Sequence, residues 1–162
     1  MSLGTGLGFA SFGCHNCAGF PARMKGLGPT AHFRLGGTFS EQVLVGIEVN
    51  AWTKSAAGVQ SAAGVLTSVF YIYPRAPERF FFKVGLGPAA YRADEGTDTY
   101  SSLGYSLIGG VGWDVRIGRN VSITPLVNVT YGGIGDYRRN RVQVANAFRQ
   151  AWIEFGAGLT FH

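Results

Sequence analysis

The chain has 162 residues, of which 46% are hydrophobic and only 14% charged, against roughly 25% charged residues in ordinary soluble domains. It carries 25 glycines and 14% aromatics, a composition that disfavours helices and suits strands. A formal net charge of +5 points to an anionic neighbour, either nucleic acid or a lipid headgroup layer, and no apolar run approaches the roughly 18 residues of a transmembrane helix.

Residues 1–162 read as one domain, with no internal linker and no repeat at a fixed period. The opening Met1-Ser2-Leu3 lacks the basic stretch and apolar core of a signal peptide, which leaves a cytosolic protein or a mature form behind an added start, and the strand chemistry below favours the second. The first strand is expected at about Gly4 to Phe12, where Leu7 and Phe9 alternate with Gly6, Gly8 and Ala10. A loop from Gly13 to Gly28 follows and contains Cys14-His15-Asn16-Cys17. With only two cysteines, the plain reading of this motif is a local disulfide between Cys14 and Cys17 in an exported protein. A metal site using His15 lacks further ligands, c-type haem attachment needs a histidine where Ala18 stands, and a thioredoxin-like motif needs a helix start that this glycine-rich stretch does not offer.

The second strand is expected at about Thr30 to Phe39, with Phe33, Leu35 and Phe39 on one face and His32, Arg34, Gly36 and Thr38 on the other. Ser40-Glu41-Gln42 turns the chain into a third strand, about Val43 to Thr53, which sets Val45, Ile47 and Val49 against Gly46, Glu48, Asn50 and Trp52. After the polar stretch Lys54 to Gln60, the fourth strand (about Ala62 to Tyr73) is ambiguous in its facing. Placing Leu66, Phe70 and Ile72 together leaves Thr67 and two tyrosine hydroxyls on the other side. Pro74 to Glu78 is a short turn, and the fifth strand, about Phe80 to Arg92, opposes Phe82, Val84 and Leu86 to Lys83, Gly85 and Gly87.

Beyond a polar loop from Asp94 to Ser101, the sixth and seventh strands form a hairpin between Leu103 and Tyr131 with its turn at Gly118-Arg119-Asn120. Each arm is about a dozen residues, longer than the usual five or six and near the nine to eleven of a tilted membrane-crossing strand. Pro88 and Pro125 fall inside strands and imply local irregularities, because each removes a ladder donor. A long arginine-rich loop is expected from Gly132 to about Arg149, and a last strand from Ala151 to Phe161. About eight strands joined by alternating long and short connections describe a closed, all-β, up-and-down antiparallel β-barrel, with short turns at one end and long loops at the other.

The lumen of an eight-stranded barrel is just wide enough to be filled by side chains. If the apolar face looks outward, the interior holds glycines together with Arg34, Glu48, Lys83, Asp114, Arg116 and Glu154, three cations and three anions. A balanced, hydrogen-bonded set of buried charges is tolerable where an isolated one is not. Phe33, Phe39, Phe80, Tyr105, Trp113, Tyr131 and Phe161 then fall toward strand ends, as aromatic girdles do, although aromatics also fill ordinary sheet cores.

The runs Phe33-Arg34-Leu35-Gly36-Gly37, Val45-Gly46-Ile47-Glu48-Val49-Asn50-Ala51-Trp52, Phe82-Lys83-Val84-Gly85-Leu86-Gly87, Gly110-Val111-Gly112-Trp113-Asp114-Val115-Arg116 and Phe155-Gly156-Ala157-Gly158-Leu159-Thr160-Phe161 resemble the small bacterial outer-membrane β-barrels of the OmpA transmembrane-domain and OmpX type. The resemblance covers essentially the whole chain and implies a transmembrane barrel in the bacterial outer membrane. It also implies that Phe161, followed here by His162, serves as the aromatic read by the barrel-assembly machinery.

Three functions follow from these readings. The first is a non-catalytic barrel with a structural or interaction role, its lumen plugged by the charge network, and with a narrow ion leak only if pairs exchange partners. The second is a lipid-modifying enzyme, which needs a histidine beside a serine and an acid; His15 lies in a loop, His162 is terminal, and His32 has no evident serine partner and reads as a lumen or rim hydrogen-bonder. The third is a soluble lipocalin-like barrel with its apolar face inward. No catalytic residue, metal site or cofactor is assigned. Nucleic acid is a poor fit, because no strand face carries a basic stripe with interleaved aromatics. Arg138, Arg139, Arg141 and Arg149 form either a solvated loop or a contact to lipopolysaccharide phosphates.

Overall fold

The computed structural model describes residues 1–14, 23–74, 79–140 and 142–162. Nine strands are assigned among them: β1 (Ser2–Cys14), β2 (Arg23–Ser40), β3 (Val43–Ala56), β4 (Val59–Ile72), β5 (Phe80–Glu95), β6 (Asp98–Trp113), β7 (Val115–Arg116), β8 (Val121–Arg139) and β9 (Val142–Phe161). The two-residue β7 continues β6 past Asp114, so the wall has eight places. Every strand runs antiparallel to its neighbours in the order β6-β5-β4-β3-β2-β1-β9-β8-β7, and pairing of β6 with β8 closes the ring. Closure leaves no unpaired edge, as a sheet needs if its backbone is to sit in hydrocarbon.

Strict alternation decides the two faces. Leu3, Leu7, Phe9, Leu66, Phe70, Ile72, Val84, Leu86, Leu107, Val129 and Phe155 are all exposed on the outside, while Glu48, Thr67, Lys83, Asn128 and Glu154 are buried inside. The ambiguous fourth strand takes the expected facing, with Tyr71 and Thr67 inward. A soluble barrel with an apolar lumen requires the reverse arrangement. Phe39, Trp113 and Phe161 are exposed near the end where Met1 and Phe161 meet, hereafter the terminal end, and Tyr105 and Tyr131 are exposed toward the opposite, distal end.

Four expectations about connections are corrected. The stretch from Gly132 to Arg149 is not a long loop: β8 runs to Arg139 and β9 starts at Val142, in an extended hairpin whose pairing shifts between Gly132 and Gly135. Gly132 (φ +159°) and Gly133 (φ +90°) absorb that irregularity. Glycines that punctuate a bulge had the composition of a loop. The polar stretches around Ala57 and Gly96 are likewise tight turns between long strands, not loops, and β2 begins at Arg23, well inside the expected first loop. The rest of that loop, with Cys17, lies outside the described residues, as does any Cys14–Cys17 disulfide.

The in-strand prolines sit where the ladder is interrupted. The β4–β5 register skips Leu66 and Thr67, opposite Pro88 and Gly87, and Pro125 lies beside the break between β6 and β7 at Asp114. A residue without an N–H donor is tolerated where no rung is formed.

Candidate functional site

The inward side chains form two tiers. In the terminal half the lumen is ionic. Glu48 Oε1 accepts from Asn50 Nδ2 at 2.8 Å and from the Lys83 ammonium, and its Oε2 accepts from the Tyr71 hydroxyl. Glu154 Oε1 accepts from Thr30 Oγ1 at 3.0 Å and His32 Nδ1 at 3.2 Å, and Oε2 from Asn128 Nδ2 at 2.8 Å. Asp114 accepts from Thr124 Oγ1 at 2.6 Å and Tyr73 Oη at 2.8 Å, with Arg34 Nη2 further off at 3.5 Å. Arg34 Nη2 donates more closely to Thr160 Oγ1, at 2.7 Å. Each carboxylate therefore has three partners, which is what makes a buried charge bearable.

Five of the six expected lumen charges, Arg34, Glu48, Lys83, Asp114 and Glu154, are buried here. Arg116 is the exception: it lies past the last β5–β6 rung, Phe80 with Trp113, and is exposed at the mouth of the barrel. Partner choice also differs from simple adjacency. Arg34 and Glu48 are direct register neighbours, yet Arg34 turns to Asp114 on the opposite wall and Glu48 to Lys83.

His32 is a lumen residue bonded to Glu154, and its ring fills space ceded by glycines: a Cβ on Gly4 would meet His32 Nε2 at 2.3 Å and one on Gly158 at 3.0 Å. Four buried polar atoms of this tier, His32 Nε2, Asn50 Oδ1, Asn128 Oδ1 and Thr130 Oγ1, have no protein partner, a condition normally met by water. His162 does approach a serine, Nε2 to Ser122 Oγ at 2.9 Å, a contact the sequence did not signal. Both residues line the terminal end of the lumen.

The distal half of the lumen is aromatic, which the charge pattern did not reveal. Phe12, Trp52, Tyr91, Tyr137, Phe148 and Trp152 are buried together with Ala63, Ala89 and Ala93. Phe12 contacts Trp52, Tyr91 and Phe148 at centroid distances of 5.1, 4.6 and 6.2 Å, and Tyr137 stacks on Phe148 at 5.2 Å. Trp52 Nε1 donates to the Gly8 carbonyl at 2.9 Å, fixing the indole against the bare wall of β1. Phe12 and Trp152 had the inward parity that would have revealed this tier, but Phe148 and Tyr137 fell in the expected loop.

At the distal rim, outside the apolar belt, Arg92 chelates Asp94 at 2.9 to 3.2 Å, and Arg139 Nη2 donates to Asp98 at 2.6 Å. The Arg92 hydrogen bonds hold the Asp94 carboxyl below its usual range, and the Arg139 hydrogen bond does the same for Asp98. Of the four arginines singled out, Arg139 is thus committed to Asp98, Arg138 lies 3.9 Å from Asp136, Arg149 is exposed, and Arg141 lies outside the described residues. Phe161 ends β9, exposed on the outer face and paired with Val121.

No known protein-family model and no curated protein sequence matches the chain. Among solved structures, Neisserial surface protein A is similar over 99% of this chain and 96% of its own, at 14% identity and a TM-score of 0.60. Ail, the attachment invasion locus protein of Yersinia pestis, is similar over 99% of this chain and 97% of its own, at 15% identity and a TM-score of 0.51. The chain has the closed, eight-stranded antiparallel barrel fold of these small outer-membrane proteins.

Proposed function

We propose that this chain is a non-catalytic barrel of the bacterial outer membrane with a structural or interaction role, its lumen closed by side chains. The observation that carries the reading is the inversion of faces: an exposed apolar wall around an ionic interior, which is stable only with lipid outside. The ionic tier, in this reading, narrows the lumen and the aromatic tier closes it, so passage of solutes is not its role. In this reading Phe161 is the aromatic recognised by the barrel-assembly machinery, and the exposed Arg138 and Arg149 above the belt contact lipopolysaccharide phosphates.

Trp113 tests the placement, since it is exposed on the outer face while Trp52 and Trp152 are buried in the lumen. In a Trp52→Phe/Trp152→Phe background refolded into vesicles, brominated lipid chains are expected to quench Trp113 strongly. Quenching by aqueous iodide alone would reject the membrane reading. For the headgroup contact, replacing Arg138 and Arg149 with glutamine is expected to weaken lipopolysaccharide association in a salt-dependent manner, and no change refutes it.

A further inference from the structure

The ionic tier opens at the terminal end into a cavity of about 440 Å³, within the size range of small-molecule sites. Three guanidinium groups from separate stretches line it: Arg34 on β2, Arg79 just ahead of β5, and Arg116 on β7. Two carboxylates, Asp114 and Glu41, share the wall, so cations outnumber them.

The Arg34 guanidinium lies over two rings, 5.1 Å from the Tyr71 centroid and 5.3 Å from that of Phe81. Stacking engages the flat faces of the fork and leaves its edge for planar contact with an oxyanion. Along that edge Nη2 donates to Thr160 Oγ1 at 2.7 Å, and the nearest carboxylate is shared with other donors. Asp114 is bonded closely to Thr124 and Tyr73 but stands 3.5 Å from Arg34.

Arg79 is held in the left-handed region at φ +55°, which side-chain-bearing residues avoid, while its carbonyl accepts from the Asp114 N–H at 2.9 Å. That bond ties the Arg79 backbone to Asp114 beside the cavity. No described residue forms an ion pair with Arg79 or Arg116.

We propose that this cavity binds a small solute bearing an oxyanion, carboxylate or phosphate, held between Arg34 on the floor and Arg79 and Arg116 at the mouth. The proposal goes beyond the structural role and does not depend on which side of a membrane the terminal end faces. Because the aromatic tier closes the other half, the solute enters and leaves by the same opening.

The test uses the whole chain refolded in detergent micelles, with arginine Nε–Hε signals followed by NMR. Inorganic phosphate and N-acetylalanine are titrated separately at constant ionic strength, with sodium chloride as the control. A saturable shift of the arginine signals with either probe is expected, and the probe that binds more tightly identifies the source of the oxyanion. In Arg79→Gln/Arg116→Gln the apparent Kd should rise at least tenfold, while the unperturbed Arg34 signal reports an intact fold. Shifts that chloride reproduces, shifts that never saturate, or an unchanged Kd in the double variant overturn the proposal.

Discussion

Phe12 and Tyr91 meet ring to ring, 4.6 Å between centroids, although β1 and β5 stand on opposite walls of the barrel. Two side chains therefore bridge the full width of the lumen in its distal half. Arg34 and Asp114 do the same from β2 to the β6–β7 break in the terminal half, through a longer polar contact.

These bridges differ in how they treat water, and that predicts conductance. The ionic tier is lined by carboxylates, amides and hydroxyls that attract water, whereas the aromatic tier is lined mainly by rings and alanines. Planar-bilayer recordings should show no conductance for the wild type or for Glu48→Ala, and channel openings for Phe12→Ala/Tyr91→Ala. Openings in Glu48→Ala alone would move the barrier to the ion pairs. Phe12→Ala should also lose about 3–5 kcal/mol of stability, the usual range for a buried phenylalanine.

Glu48 and Lys83 are both nearly inaccessible to solvent and bonded to each other. Glu48→Ala strands the ammonium and is expected to destabilise the barrel by about 3–5 kcal/mol in urea unfolding from vesicles. Removing both charges with Glu48→Gln/Lys83→Met should recover most of that loss. If the double variant is as unstable as the single, the cost arises from shape rather than from a stranded charge.

Leu107 is exposed in the outer belt, on the face shared with Tyr105. With lipid outside, Leu107→Arg should cost about 2–4 kcal/mol in bilayers. A neutral result would mean that this face meets water.

At the distal rim the depressed Asp98 carboxyl gives a pH effect of definite sign. Its contact with Arg139 contributes stability above the unfolded aspartate pKa of about 3.9, and the contribution is lost as pH falls through the lower folded value. Carboxyl-carbon NMR should place the Asp98 titration below that of an ordinary aspartate. In Arg139→Gln it should move upward; an unmoved titration would assign the shift to another group.

The two faces were legible because an apolar outer face and a polar lumen impose a period of two along the strands, so Leu66, Thr67, Phe70 and Tyr71 sorted correctly even in an ambiguous run. The pairing across the lumen was not legible. Whether Glu48 meets Arg34 beside it or Lys83 two walls away depends on strand stagger, which local sequence does not encode. Strand ends were the least legible, since Gly132 and Gly133 look like loop residues and instead form a bulge within β8.

Bareness on one wall is matched by bulk on another. A Cβ on Gly8 would come within 3.1 Å of the Trp52 ring, and one on Gly4 would run into His32. A ring of eight strands has a fixed bore, so volume gained by one lining residue must be surrendered by another, one or two strands away. Anyone redesigning this interior would have to trade residues in neighbouring sets, enlarging a glycine on β1 only with a smaller side chain in place of the imidazole on β2 or the indole on β3.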